Sequence, residues 1–462
     1  MDSPVITWLT KILPPHEALR LTILPRQAPP PVQIDHLIQN RHTRAAALSA
    51  MLMLPARVFA AVIGQQTPAD PVTDARITAL AGAQLPSWQA YLARSRARAY
   101  ANEKSLAAER GEGLAPADPT DNKTGSDAMP LDRPAAWYGS AEARHVADVI
   151  MSFQTPAGGW GKNVRRDGPL RQKGQSYVIG HSYVGTIDNG ATVTELRFLA
   201  PVRAQLPGAQ GKVVEDAFIK GVRYLLDAQY PNGGFPQVYP LEGWYHDAIT
   251  FNDDAMAHVV ELLANIASRE GDYRFVPASL ADEARAATDR AVAMVLASQV
   301  VVSGVRTGWG QQQDAITLAP AGARNYEPAA LASHESGSML LFLMRRPNPS
   351  PQLIAAVHAG AAWLKRSALH DVEWTGKSPE GRHLAPKLGT HPIWARYYDI
   401  ASNKPIFGER DHAIHDDVMD LAPGRRNGYG WYVTGPSKVL VAYAQWARLH
   451  PPTPQATLVK AP

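Results

Sequence analysis

Asp253 and Asp254 stand side by side in the stretch Tyr245-His246-Asp247-Ala248-Ile249-Thr250-Phe251-Asn252-Asp253-Asp254-Ala255-Met256, next to an amide and a threonine hydroxyl. They fall where a loop gives way to the apolar-periodic run 256–266. Oxygen ligands clustered at a helix entrance suit a hard cation such as calcium. The same residues also suit a plain capped helix, with Asn252 or Asp253 as N-cap and the next acid favoured by the helix dipole. A second segment, Gly185-Thr186-Ile187-Asp188-Asn189-Gly190-Ala191-Thr192, repeats the arrangement ahead of another helical run, 193–199, and shifts the balance towards the cation. The chain has no cysteine, so disulfides and thiolate metal sites are excluded and a metal must be held by oxygen or imidazole.

Three arginine loops accompany the acids. Arg324 lies in Ala319-Pro320-Ala321-Gly322-Ala323-Arg324-Asn325-Tyr326-Glu327-Pro328, a Gly/Pro-rich loop before a helical run. A guanidinium there is either a clamp for a carboxylate or phosphate, or half of a structural ion pair with Glu327 or Glu335. Arg410 sits in Phe407-Gly408-Glu409-Arg410-Asp411, and Arg425-Arg426 precede Asn427-Gly428-Tyr429-Gly430-Trp431-Tyr432. For these two loops the plain readings are a solvated turn or cation–π packing. The 15 histidines include no HExxH or paired metal spacing. His246, His334 and His391 are therefore expected as loop residues rather than ligands. No G-x-S-x-G elbow, Walker loop or dinucleotide fingerprint occurs in context.

The elements that must position these loops are helical and repeated. Gln154-Thr155-Pro156-Ala157-Gly158-Gly159-Trp160 is echoed by Gln229-Tyr230-Pro231-Asn232-Gly233-Gly234-Phe235, and more loosely by Gln299 followed by Thr307-Gly308-Trp309-Gly310. Each copy ends a run with an apolar stripe every three to four residues (145–153, 214–228, 282–298), and the runs 256–268, 329–345 and 352–366 follow in turn. The glycines let the chain leave each helix at positive φ. Repeated helix–turn–helix units predict a closed ring or stack of helical hairpins, with the Gly/aromatic loops gathered at one end. Those aromatics are expected to line a groove for an extended or cyclic ligand. Strand-like alternation is confined to 177–184 and 430–434. The run from Pro71 to about Glu112 is helical in pattern, and 111–134 is a linker-like stretch whose acids read as a solvated turn.

Length and charge narrow the function further. The 462 residues suffice for one large domain or two to three ordinary ones. Of the 46 Lys/Arg and 42 Asp/Glu, residues 1–60 hold six and three, leaving 40 against 39 in the remainder. No localised basic run marks a nucleic-acid surface. Residues 41–60 hold a basic segment, an apolar run of about ten residues and small residues after it. These are the parts of a secretory signal, too short to span a bilayer, with cleavage after Ala60. A buried helix is the competing reading. Since such a signal normally opens a chain, translation is expected to begin downstream of Met1. The expected organisation is a leader over 1–60, a helical segment and linker over 61–134, a catalytic domain over 135–450 and a tail over 451–462.

The segments GTIDNGAT, YHDAITFNDDAM, GWGQQQDAITLAPAGARNYE and PIWARYYDIASNKPIFGERD, with GYGWY, resemble the pectate lyases of polysaccharide lyase family 10. The resemblance runs from about Trp137 to Trp446. It implies an all-α fold, an (α/α) toroid with short strands in its loops, and a secreted or periplasmic bacterial enzyme. It also implies calcium-dependent β-elimination of polygalacturonate to 4,5-unsaturated oligogalacturonides. Apart from the resemblance, the chain is expected to be a monomer with no nucleic-acid or membrane partner. By motif, Asp188 resembles the active-centre aspartate and a calcium ligand, and Asp253 and Asp254 together cover a second calcium acid. Arg324 resembles the catalytic arginine. Arg410, Arg396, Tyr326 and Asn189 fall in segments implied to bind substrate. The chain departs from the pattern after Glu327, where Ala330-Leu331-Ala332-Ser333 replaces an expected Ser-Leu-Ser-Gly run, and at Gly424, where an acid often precedes the arginine pair.

The chemistry suits the residue types. Removing a uronate C5 proton builds negative charge on the neighbouring carboxylate, which calcium and arginines would stabilise. An arginine base is unusual, because its pKa lies above about 12. Burial among cations would lower that value, and an alkaline optimum is expected. A glycoside hydrolase or a terpene-cyclase-like enzyme on the same kind of ring, and a carbohydrate-binding relative with a decayed site, are the alternatives.

Overall fold

The computed structural model of the chain describes residues 61–111, 117–119, 129–179 and 184–452. The signal-like segment 41–60, most of the linker and the tail after 452 lie outside the described residues.

Eleven helices occur among the described residues: α1 (Asp74–Leu80), α2 (Leu85–Arg110), α3 (Ala141–Ser152), α4 (Val193–Gln205), α5 (Gly208–Ala228), α6 (Ala255–Ser268), α7 (Ala278–Ala297), α8 (Ser333–Met344), α9 (Pro351–Arg366), α10 (Pro423–Gly428) and α11 (Gly435–Leu449). Short connections at 206–207, 269–277 and 345–350 join α4 to α5, α6 to α7 and α8 to α9, so each pair folds back on itself as a hairpin. The first members touch in sequence, α4 to α6 to α8, and the second members likewise, α5 to α7 to α9. The fold is thus two rows of helices, with α2 and α3 packed on α5 at one end and α11 on α8 and α9 at the other. One apolar core runs from Val72 through Trp88, Tyr91 and Leu92 of α2 to Trp446 of α11, so the N-terminal helices share the core of the later hairpins.

At the other ends of the helices the connections are long (153–192, 229–254, 298–332 and 367–434), and the residue repeats lie in them. Each repeat glutamine makes the same pair of hydrogen bonds, one to its own loop and one to the next helix in the row of second members (α5, α7 and α9). Gln154 Nε2 donates to Gly158 O (2.8 Å) and Ala217 O (2.9 Å), Gln229 Nε2 to Gly233 O (3.0 Å) and Ala287 O (2.8 Å), and Gln299 Nε2 to Thr307 O (2.8 Å) and Ala356 O (2.9 Å). Gly158 and Gly233 are needed twice over, by φ of 107° and 97° and by space. A Cβ would lie 2.5 Å from Lys220 O at the first and 2.3 Å from Arg290 O at the second.

The aromatics of the repeats do not line a groove. Trp160, Phe235, Trp309 and Trp394 are each fully buried. The indoles of Trp160, Trp309 and Trp394 donate to Ile150 O, Val295 O and Leu364 O at 2.7, 2.8 and 2.7 Å. They plug the hairpin ends, where large rings bury most area and a polar tip finds a carbonyl.

Strands are few and short. Val62–Gln65, Ala413–His415, Pro405–Gly408, Tyr397–Tyr398 and Leu331–Ala332 form one antiparallel sheet in that order. Ile249–Thr250, Gln312–Gln313 and Pro320–Ala321 form another. Residues 331–332 were expected as helix and are strand, because their backbone completes the first sheet; α8 begins at Ser333. The expected strand at 430–434 is present as Tyr432–Val433, whereas 177–179 form none.

Candidate active site

Two loops deliver the acids by the same backbone device. Thr186 N donates to Trp160 O at 3.1 Å and Thr250 N to Phe235 O at 3.2 Å, fixing each loop to the aromatic of its own repeat. Ile187 N then donates to Gln237 O and Phe251 N to Gln311 O, fixing it to the next repeat. A single 3₁₀ turn follows in each, Asp188–Gly190 and Asn252–Asp254, with Asn189 and Asp253 in the left-handed region at φ of 52° and 51°. Asn and Asp tolerate that region better than other residues with a Cβ. The expected helix cap is absent: Asp254 occupies the N-cap position of α6 at φ 59°, and its side chain makes no capping bond. The side chains of Asn252 and Asp253 are used elsewhere.

Asp188, Asn189, Asp253 and Arg324 line one cavity of about 230 Å³, together with Lys162, Gln237, Tyr245, Asn252, Gln311, Gln312, Ala323 and Glu327. Lys162 Nζ donates to Asp188 Oδ2 at 2.5 Å. Burial raises the Asp253 carboxyl above its ordinary range, and the negative charge of Asp188 raises it further, which marks two acids near enough to repel. Asn252 braces Asp253 by donating to its Oδ2 at 2.8 Å, and in turn accepts from Gln311 Nε2 (3.0 Å) and Arg396 Nη2 (3.2 Å). Asp254 is not among the residues that line the cavity.

Arg324 is paired rather than set among cations. Its Nε and Nη2 donate to Glu327 Oε2 and Oε1 at 2.8 and 2.5 Å, and its backbone N to Glu327 Oε2 at 3.1 Å. Glu327 is buried and also accepts from Tyr429 OH at 2.8 Å. Burial alone would depress the Arg324 pKa, but the hydrogen-bonded Glu327 carboxylate overrides it and holds the value well above the ordinary one. The expectation of a lowered arginine pKa is thereby corrected; the ion pair with Glu327 is the alternative that the geometry matches. Arg396 follows the same rule: burial opposes its charge, Glu335 restores it through a 2.6 Å bond, and the net direction is upward.

The remaining expected residues divide. Arg396 reaches the cavity wall through Asn252, and Asn189 lines it. Tyr326 lies outside the lining, sandwiched between the guanidinium groups of Arg324 and Arg425, 5.0 and 3.9 Å from its ring. Arg410 is exposed and does not line the cavity; its carbonyl accepts from Asn325 Nδ2, which ties its loop to that of Arg324. Arg425 is buried against Tyr326, Tyr429 and Trp431, the packing reading of that cluster. The altered stretch Ala330–Ser333 is buried and bonded through its backbone, with Ala332 N on Trp309 O and Ser333 N on Arg396 O, and none of it lines the cavity. His246 is buried, and that burial, then the charge of Lys162, lowers its pKa to about 4, so it stays neutral at physiological pH.

Lys162, Gln237 and Gln311 were missed by the reading of the sequence. They and Arg396 share one position, the second residue after the plugging aromatic of each repeat. Once Trp160, Phe235, Trp309 and Trp394 are aligned, that signal is present in the sequence.

Among the described residues no group of three or more His, Asp or Glu is placed to hold a metal ion. The protein thus offers a cation two facing carboxylates, with amide oxygens nearby.

Comparison with known proteins adds the following. The family model described as pectic acid lyase matches residues 154–440. A solved family 10 polysaccharide lyase from Cellvibrio cellulosa is 30% identical, with a TM-score of 0.59, covering 69% of this chain and 96% of its own. An aspartate-to-alanine mutant of a family 10 lyase from the same organism, in complex with trigalacturonic acid, is 29% identical with the same TM-score, covering 71% and 98%. A search of curated proteins finds no match.

Proposed function

The chain belongs to the pectic acid lyase family and is a polysaccharide lyase, and from that premise we propose that it cleaves polygalacturonate by calcium-dependent β-elimination on an (α/α) toroid. The observation that carries the reading is the meeting of Asp188, Asp253 and Arg324 at one cavity, from loops far apart in sequence. The complex of a neighbour with trigalacturonic acid supports the substrate class.

Asp188 and Asp253 are the proposed protein ligands of calcium. Their mutual repulsion, visible in the raised Asp253 carboxyl, is what a cation would relieve. Two carboxylates are too few for the six to eight oxygens calcium takes, so substrate carboxylate and water complete the shell in this reading. When bound, calcium would withdraw charge from the uronate carboxylate and acidify the C5 proton. Lys162 holds Asp188 in place and adds positive charge to the same end of the cavity. Arg324 takes the C5 proton, the C5–H electron pair becomes the 4,5-double bond, and the C4–O pair leaves with the glycosyl oxygen, which takes a proton from water. Its neutral form is scarce while Glu327 grips it, so turnover calls for alkaline pH and for the guanidinium to come off Glu327 on substrate binding. Secretion, or export to the periplasm, rests on the signal-like segment 41–60 and is tested by fusing residues 30–65 to a reporter.

The deciding assay follows the ultraviolet absorbance of unsaturated uronates released from polygalacturonate, with calcium or with chelator. The expected result is an increase that chelator removes, and its loss in Arg324→Ala. Near-normal turnover by Arg324→Ala would overturn the assignment of the base.

A further inference from the structure

Before the first helix, residues 61–72 cross the molecule as an extended strap, and its contacts converge on the loop that carries Arg324. Val62–Gln65 adds an edge strand beside Ala413–His415. Gln66 N donates to His412 O at 2.7 Å. The Gln66 side chain, only 5% exposed, turns inward, and its Nε2 donates to Ala323 O (3.3 Å) and Arg324 O (3.1 Å). Two residues on, Pro68 bridges Gly322, and Ala69 N donates to Gly322 O at 2.8 Å. The strap then leaves through Val72 N, which donates to Asp247 Oδ2 at 2.9 Å.

The loop is shaped for this approach. A Cβ on Gly322 would lie 2.4 Å from both Gln66 Oε1 and Thr67 O. The Arg324 turn is closed by Ala323 N to Glu327 O (3.0 Å) and Glu327 N to Arg324 O (2.9 Å). Gln66 thus bonds the two carbonyls on the back of a turn whose front presents the guanidinium to the cavity.

We propose that the strap 61–72 is part of the catalytic apparatus, and that Gln66 is a positioning residue which sets the Arg324 turn through the carbonyls of Ala323 and Arg324. This rests on the reading of Arg324 as the proton-abstracting residue. Gln66 touches neither the substrate nor the cation; it acts through Arg324. A reacting group displaced by about 1 Å loses roughly a hundredfold in rate, and a partly displaced one less. Loss of the two side-chain bonds leaves Gly322 still held by Ala69, so a fall in kcat of about tenfold is expected.

The test uses the full chain with Gln66→Glu, which keeps the shape but loses the donor, and Gly322→Ala, which forces Gln66 away. Each is measured for kcat and KM on polygalacturonate, for the calcium concentration giving half-maximal rate, for the pH profile of kcat/KM and for thermal melting. The expected result is a roughly tenfold lower kcat in both, with KM and calcium requirement within about twofold of wild type. The pH profile moves as well, because a turn set differently changes the grip of Glu327 on Arg324. A wild-type kcat, or a loss that follows only the melted fraction with an unmoved pH profile, would overturn the proposal. Arg324→Ala separates the two readings. If it retains turnover, the catalytic assignment fails. If it is inactive while Gln66→Glu keeps wild-type kcat and profile, only the strap fails.

Discussion

Glu327→Gln tests the chemistry most directly, because it changes the charge state of Arg324 with little change in shape. Glu327 accepts from Nε, Nη2 and the backbone N of Arg324, and from Tyr429 OH. A glutamine retains one of the two oxygens and turns a donor towards a guanidinium N–H where the other was. At about 4 Å and an effective dielectric of about 20, the lost attraction is roughly 4 kcal/mol. The Arg324 side chain is 46% exposed, so solvent screening cuts this to about 1–2 kcal/mol. That corresponds to about one pKa unit and a neutral fraction about tenfold larger at any pH well below the pKa. If Arg324 is the base, the acid limb of the kcat/KM profile, which reports the free enzyme in which Glu327 still holds the guanidinium, moves about one unit towards lower pH, read as a roughly tenfold rise along the limb. If it acts only as a cation, kcat falls at all pH values and the limb stays. The assay is absorbance of unsaturated product at saturating calcium between roughly pH 6 and 10, with a melting curve to confirm folding. A limb that stays in place, or moves up, refutes the arginine base.

Asp253→Ala is expected to abolish calcium-dependent turnover, as is Asp188→Ala. Asp254→Ala, altering a residue outside the cavity lining, should keep wild-type calcium dependence; equal losses at 253 and 254 would sink the assignment. Gln229→Ala removes the bonds to Gly233 O and Ala287 O and strands Arg290, whose Nη2 donates to Gln229 Oε1 at 2.6 Å. At about 1 kcal/mol per bond it should destabilise the protein by about 2–3 kcal/mol in denaturant melts, with KM unchanged. Asp247, buried, has its carboxyl raised from 3.8 to about 6 by desolvation, against the two backbone N–H groups that hold it. A carboxyl raised by folding makes the native state bind protons more tightly, so stability is greatest below the unfolded value and is lost as pH rises from about 4 to about 6. The loss is about 3 kcal/mol. Asp247→Asn does not titrate, so its stability relative to wild type should rise by that amount over this window. A constant difference would show that the carboxyl is not shifted.

The helical hairpins were legible because their signal is local. Apolar residues every three to four positions fix 214–228, 256–268 and 352–366 without reference to anything distant, and Gly233-Gly234-Phe235 marks where the first of them must stop. The acid loops were legible for the same reason, since Thr-x-Asp-Asn-Gly and Thr-x-Asn-Asp-Asp carry their own turn chemistry. The aromatics misled, because Trp beside glycine looks the same in sequence whether it stacks on a ligand or plugs a core; only the carbonyls of Ile150, Val295 and Leu364 decide it. Arg324 and Arg410 likewise occupy similar-looking loops and are both exposed; what separates them is the pairing of Arg324 with Glu327 and its place in the cavity lining. The strap had no signal at all. It has neither period nor motif, and its partners lie at 322–324 and 412–415.

The position two residues past each plugging aromatic shows how a repeated fold builds an unrepeated site. The backbone places Gln237, Gln311 and Arg396 alike, since the carbonyl of each accepts from the loop of the preceding repeat at Ile187 N, Phe251 N and Ser333 N, so the hairpins dictate where these side chains go and leave their identity open. Charge then segregates: Lys162 meets Asp188 at one end, Arg396 meets Glu335 at the other, and the two neutral amides lie between. Gln311 touches both the Asn252 brace and the tyrosines beside Glu327. Arg396 and Gln311 converge on Asn252, Gln311 accepts from Tyr397 OH, and Tyr429, its ring stacked beside that of Tyr397, donates to Glu327, which holds Arg324. Hydrogen bonds and the stacked Tyr397–Tyr429 pair therefore connect the brace of Asp253 to the grip on Arg324. Groups that share partners in a buried network couple to one another, so a change at Gln311 or Tyr397 is expected to reach both the cation end and the arginine end of this cavity.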